Sequence, residues 1–167
     1  EPNGDLSDLK PLKDVLANVQ VIGLGESTHG TKEFFQVRHR ILKFLITELT
    51  FNTVAIEASY SGAEVANDYV LYGIGNPEKI LGGLGFVMWN VAEFAEVLDW
   101  IYEYNQSVSI ERKVTFHGVD VWYNVVARRK LMSYLLRVSP ELALDMQPSF
   151  KSMKEEEARW LKILIDD

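Results

Sequence analysis

The sequence predicts an α/β fold, in which a parallel sheet is flanked by helices and the C-terminal part is helical; a mixed sheet is the alternative. Three apolar segments typical of buried strands, 19–24, 52–58 and 113–119, alternate with segments of helical periodicity. Strands separated by helices pair in parallel through right-handed crossovers and carry helices on both faces. Because three strands make a thin sheet, we expect residues 1–167 to form a single α/β domain that is part of a larger fold.

The predicted helices are placed by apolar residues that recur at helical spacing. They cover residues 7–18, 31–49, 60–72, 89–105 and 121–138. The Gly-rich stretch 73–85 predicts a loop. Ser152 and Glu155 have the spacing of a capping box, which predicts the start of a last helix that runs to Ile165.

Composition excludes several classes of function. The chain has 17 basic and 24 acidic residues, a net charge of −7, which disfavours nucleic acid as a partner. The absence of Cys excludes disulfides, thiolate zinc sites and a cysteine nucleophile. No apolar run reaches the roughly 18 to 20 residues of a membrane span, so we expect no membrane association. These features favour the cytoplasm and leave secretion open, and they do not predict an oligomeric state.

Acidic residues follow each predicted strand. Glu26 comes directly after the first strand with His29 three residues on, Glu57 ends the second, and the third contains His117 and ends at Asp120. Ligands of open α/β sheets bind beyond the carboxyl ends of the strands, so these side chains are candidates for one site. The alternative is that each acid caps a helix or lies in a solvated loop.

An arginine on the strongest helix supports a site at this edge. On a helical wheel Arg38 lies about 40° from Phe34, in the middle of the apolar face, whereas Lys43 lies on the polar face. An arginine that points at a core meets a carboxylate or extends to solvent. We expect its side chain to reach Glu26 and Glu57.

The three histidines receive different predictions. His29 precedes the N-terminus of this helix, which disfavours imidazolium, so a neutral His29 oriented by a carboxylate is suited to taking a proton from water. His39 lies near the polar face and is predicted at the surface. His117 is predicted either in the core, the favoured alternative, or in the site.

A metal site is the alternative to acid–base chemistry here. Glu26, His29, Glu57 and Asp120 are of the types that ligate divalent ions, but the positive charge of Arg38 would compete with a cation. We therefore expect no cofactor, with a divalent metal as the alternative.

The ordered motifs resemble the erythromycin esterase family over most of residues 19–125. They are Gly25-Glu26-Ser27-Thr28-His29-Gly30, Glu33-Phe34-Phe35, Val54-Ala55-Ile56-Glu57, Asn67-Asp68-Tyr69-Val70 and Phe116-His117-Gly118-Val119-Asp120. The resemblance implies a hydrolase that opens a macrolide lactone by water attack, with His29 as the base and Glu26, Arg38 and Glu57 at matching site positions. Family members are usually longer and supply a further histidine from a later part, so the substrate does not carry over.

The prediction is thus an esterase-like hydrolase acting on a small-molecule ester or a macrolide-like lactone. The alternative is a module that binds a ligand or a metal in the same cleft without chemistry. Candidate substrate-binding residues are Phe86, Trp89, His117, Asp120 and Tyr123.

Overall fold

The computed structural model describes residues 4–121 and 124–166 and has the α/β architecture that the sequence predicts. Strands β1 (Thr53–Ser59) and β2 (Thr115–Asp120) form a parallel sheet in the described residues. The helices are α1 Leu12–Leu16, α2 Lys32–Leu49, α3 Tyr60–Tyr72, α4 Pro77–Leu81, α5 Ala92–Ser107, α6 Val125–Val138 and α7 Pro140–Asp166. Short 3₁₀ turns lie at Ser7–Leu9, Val87–Trp89 and Ile110–Arg112.

The strand predicted over residues 19–24 is wrong. The sheet of the described residues has two strands, and Val21 is 86% exposed. A strand requires backbone hydrogen bonds to a neighbour, and the structure records none between this segment and β1. Its apolar side chains instead form one wall of a cavity.

The two strands are in regular register from Thr53 opposite Thr115 to Ile56 opposite Gly118. The register shifts beyond Ile56, between that residue and Ser59. A Cβ at Gly118 would lie 2.5 Å from the carbonyl oxygen of Ala58, so glycine allows this close approach of the strands.

The faces of the sheet differ in burial. Phe116 and Gly118 are buried on the face that packs against α3 and α5, where the Phe116 ring contacts that of Phe94. On the opposite face His117 and Val119 are exposed. The expectation of helical cover on both faces is therefore wrong at these positions, and so is the prediction of His117 in the core.

Asn105 joins α5 to α3 and β2 inside the core. It is fully buried, and its Nδ2 donates to the carbonyl oxygens of Val70 at 2.8 Å and Val114 at 2.9 Å. Its Oδ1 accepts from the N–H of Val114 at 2.7 Å. Nearby, the N–H of Phe116 donates to Oδ1 of Asn67 at 2.8 Å. These side-chain amides satisfy backbone groups around the start of β2 that would otherwise be buried without partners.

Several helix boundaries differ from the predictions. The first predicted helix is split into a 3₁₀ turn and α1 around Pro11, which lacks an N–H to donate. The loop predicted over 73–85 contains α4, which Asn76 caps by accepting from the N–H of Lys79. The last helix begins at Pro140, a residue suited to a first helical position, so Ser152 lies inside α7.

Residue contacts divide the chain into two compact units, Glu1–Trp122 and Tyr123–Asp167. The first contains the sheet and α1–α5. The second contains α6 and α7, which pack against each other. Within the described ranges, no helix combines the length and hydrophobicity needed to cross a bilayer.

Candidate active site

A cavity of about 690 Å³ lies in the first unit, between the segment 20–26, α2 and β1. Its walls are mostly apolar and include Leu42 and Ile46 of α2 and Ile56 of β1. Polar side chains lie along it at Glu26, His29, Arg38 and Glu57. An apolar cavity of this size with few polar groups is typical of a small-molecule site.

Glu26 bridges two polar side chains. Its Oε1 lies 2.5 Å from Nδ1 of His29, and its Oε2 accepts from Nη2 of Arg38. The Glu26 and Arg38 side chains are only 13% and 18% exposed, whereas that of His29 is 69% exposed. One carboxylate thus holds a shielded guanidinium on one side and an imidazole open to solvent on the other.

Aromatic rings surround the guanidinium of Arg38. The carbon Cζ lies 5.5 Å from the centroid of the Phe35 ring and 6.0 Å from that of Trp89. These distances are in the range of cation–π contacts. Nη2 is held by Glu26, whereas Nε is buried and has no hydrogen-bond partner in the described part of the chain.

Glu57 shares the cavity but not the network. Its residue is exposed, contrary to the buried position expected, and among the described residues no hydrogen bond or ion pair joins its carboxylate to Arg38. Its main-chain carbonyl oxygen accepts a hydrogen bond of 2.8 Å from Nε1 of Trp89. Arg38 therefore meets Glu26 but not Glu57, although both acids line the cavity.

His39 is buried, and its prediction as a surface residue is wrong. It is 4% exposed, its ring lies 6.0 Å from that of Trp100, and Nε2 has no partner among the described residues. Burial, followed by the positive charge of Lys43, lowers the pKa of His39 to about 4. Lys43 is itself only 9% exposed, because Trp100 of α5 covers this side of α2. The helical wheel gave no signal for this cover, which depends on α5.

The candidate substrate-binding residues are not all brought together. Trp89 is 6% exposed and lines the cavity. Phe86 packs against the core, and neither it nor His117 or Asp120 lines this cavity. Tyr123 lies outside the described residues.

The ligand set considered for a divalent ion is not assembled. In residues 4–121 and 124–166, no group of three or more His, Cys, Asp or Glu side chains is arranged to hold a metal ion. Glu26 and His29 are adjacent, but Asp120 lies at the end of β2, outside the cavity that they line.

Fold and site together define an α/β protein with a Glu–His–Arg cluster on a cavity of small-molecule size. The family model described as erythromycin esterase matches residues 46–162. The chain therefore belongs to the erythromycin esterase family, as the motifs indicated. The match begins after Glu26, His29 and Arg38 and includes Glu57 and Trp89.

Curated relatives agree with this family. The chain is 32% identical over 120 residues to erythromycin esterase type II of Escherichia coli, covering 72% of this chain and 28% of that protein. It is 27% identical over 101 residues to the putative hydrolase YbfO of Bacillus subtilis strain 168, covering 60% of this chain and 22% of that protein. The chain thus spans less than a third of the length of these relatives. Membership supports a hydrolase-like function at the level of the family.

Solved structures share the fold. A structure described as a succinoglycan biosynthesis protein matches with a TM-score of 0.72 at 30% identity, covering 93% of this chain and 39% of that one. A protein of Bacillus cereus matches with a TM-score of 0.70 at 31% identity, covering 91% of this chain and 36% of that one.

Proposed function

We propose that this chain carries the water-activating part of a hydrolase site that cleaves a small-molecule ester or lactone. The observation that carries the proposal is the position of Glu26, which contacts both His29 and Arg38. Each contact supplies one requirement of general-base catalysis, a correctly oriented base and a fixed orienting group.

His29 is the proposed base. When Nδ1 carries the proton and donates it to Glu26, Nε2 has the lone pair that accepts a proton. The side chain is 69% exposed, so Nε2 is accessible to water. Glu57, on the same cavity, is placed to help position that water.

The reaction balances with these groups. Nε2 takes a proton from water as the water oxygen bonds to the ester carbonyl carbon, and the carbonyl oxygen becomes an oxyanion. The oxyanion collapses and breaks the bond to the alkoxy oxygen, which receives the proton from the imidazolium. Arg38 fixes Glu26 throughout, and its buried Nε–H, which lacks a partner in the described residues, is a candidate donor to the carbonyl oxygen.

The test is hydrolysis of a p-nitrophenyl ester and of a macrolide lactone by the intact protein and its variants. His29→Ala should reduce turnover by about 10²- to 10⁴-fold, the usual contribution of a general base. Ser27→Ala, an exposed neighbour in the same turn, should leave turnover unchanged.

Unchanged turnover in His29→Ala would reject the proposed base, and lost turnover in Ser27→Ala would favour a serine nucleophile instead. Ligand binding without hydrolysis by the unaltered protein would favour the alternative, a binding module that uses the same cavity.

A further inference from the structure

Trp89 is the side chain that touches both arms of the proposed site. Its indole Nε1–H donates to the main-chain carbonyl oxygen of Glu57 at 2.8 Å. Its ring centroid lies 6.0 Å from Cζ of Arg38. Glu57 belongs to β1 and Arg38 to α2, so one side chain connects the strand end to the helix that carries the guanidinium.

The surroundings hold Trp89 in place. It is 6% exposed, at the end of the 3₁₀ turn Val87–Trp89. Its ring packs 4.8 Å from that of Phe94 and edge-on at 6.1 Å from that of Phe35. A ring fixed by two other rings has little rotamer freedom, so its N–H and its face have defined directions.

The strand end needs such a contact. The β1–β2 register is regular only to Ile56 and shifts before Ser59, so Glu57 lies in the irregular stretch where strand pairing constrains the main chain less. The indole hydrogen bond fixes its carbonyl oxygen, and with it the start of the Glu57 side chain.

From these contacts we propose that Trp89 is a positioning residue that keeps Glu57 at a fixed distance from the Glu26–His29–Arg38 cluster. This rests on the proposed hydrolase, in which Glu57 positions the water that His29 deprotonates. Trp89 acts through Glu57 and Arg38. A shift of about 1 Å in a positioned group reduces turnover strongly while substrate binding changes less.

The test compares Trp89→Phe with Trp100→Phe in the intact protein. Trp89→Phe keeps an aromatic ring near Arg38 and removes the N–H, whereas Trp100 makes the same change on α5, against His39 and Lys43. For ester hydrolysis we expect kcat to fall about 10-fold in Trp89→Phe with KM changed less than about 3-fold, and no change in Trp100→Phe.

A second measurement does not depend on activity. In ¹⁵N NMR spectra, Trp89→Phe should shift the amide of Ala58, which senses the hydrogen bond to the Glu57 carbonyl, and Nε of Arg38. Trp100→Phe should shift neither. In the unaltered protein the indole N–H of Trp89 should exchange with solvent more slowly than that of the half-buried Trp100, a comparison that requires no variant to fold.

The outcomes separate this inference from the proposed function. Wild-type kcat in Trp89→Phe, unshifted Ala58 and Arg38 signals, or equal exchange of the two indoles would overturn the positioning role. Equal losses of kcat in both tryptophan variants would also overturn it. If the unaltered protein hydrolyses no ester but the two signals shift only in Trp89→Phe, the hydrolase proposal fails while Trp89 still holds Glu57 and Arg38.

Discussion

Asn105 and Glu26 each hold a small polar network, and the two networks are built differently. Asn105 is fully buried, and its amide makes hydrogen bonds to backbone groups of Val70 and Val114. Glu26 joins two side chains, one of which, His29, is mostly exposed. The first network ends on backbone atoms of the core, whereas the second ends on an imidazole open to solvent.

The difference separates stability from chemistry. A buried polar group that satisfies backbone donors and acceptors becomes costly to remove, because its partners are left without hydrogen bonds. A cluster at the surface contributes less to stability, since water replaces lost partners. Its unused polar atoms remain available to a substrate. The predictions below test this contrast in order of their expected effect on the free energy of unfolding.

The largest effect is expected for Asn105→Leu. The substitution leaves the N–H and carbonyl of Val114 and the carbonyl of Val70 without their side-chain partner. We expect the free energy of unfolding to fall by about 4 kcal/mol, the sum of several unsatisfied buried groups. Urea denaturation measures the loss. Gln106→Leu, at the exposed neighbouring position of α5, is the matched control and should change stability by less than about 0.5 kcal/mol.

His39 is the intermediate case, a buried polar side chain with an unsatisfied atom. Its pKa is lowered from 6.5 to about 4 in the folded protein, first by burial and then by Lys43, so the unfolded chain binds the proton more readily. Its stabilising contribution is complete above pH 6.5 and declines as the pH falls to about 4. The loss over this window should be about 3 kcal/mol.

Urea denaturation between pH 4 and 7 measures this contribution as the difference between wild type and His39→Phe. The variant should lose less stability over the window, whereas His117→Gln, which removes an exposed histidine, should behave like wild type. Identical pH dependence in His39→Phe and wild type would contradict the burial argument.

The sequence predicts the helices better than the sheet. Local periodicity alone places α2 within a residue and α3 at both ends, and it places Arg38 on the apolar face of α2, where its side chain is 18% exposed. A strand depends on a distant partner, so the apolar run at 19–24 could not reveal that it lacks hydrogen bonds to β1. Burial on α2 has the same limit, because Trp100, which covers His39 and Lys43, comes from another helix.

The site was predictable where it is local and unpredictable where it is not. Glu26 and His29 are three residues apart in one turn, so their contact follows from sequence spacing. Arg38 meets Glu26 across about two helical turns, within reach of its long side chain. Glu57 depends on where β1 ends and on the indole of Trp89, and neither the exposure of Glu57 nor the hydrogen bond to its carbonyl follows from a pattern.

The smallest effect on stability is expected for Glu26→Gln. The neutral amide keeps the volume of the side chain and loses its charge, so the contacts to His29 and Arg38 weaken rather than leave buried backbone groups unpaired. We expect a loss of about 1 kcal/mol in the free energy of unfolding. The rate of ester hydrolysis should fall by about 10²-fold, because the amide no longer stabilises the protonated imidazole.

Urea denaturation and initial rates, measured on the same preparations, check both values for Glu26→Gln. Glu33→Gln, an exposed acid in the first turn of α2, is the matched control and should change neither. A loss of stability as large as that of Asn105→Leu, with hydrolysis intact, would reverse the contrast and make the Glu26 network structural.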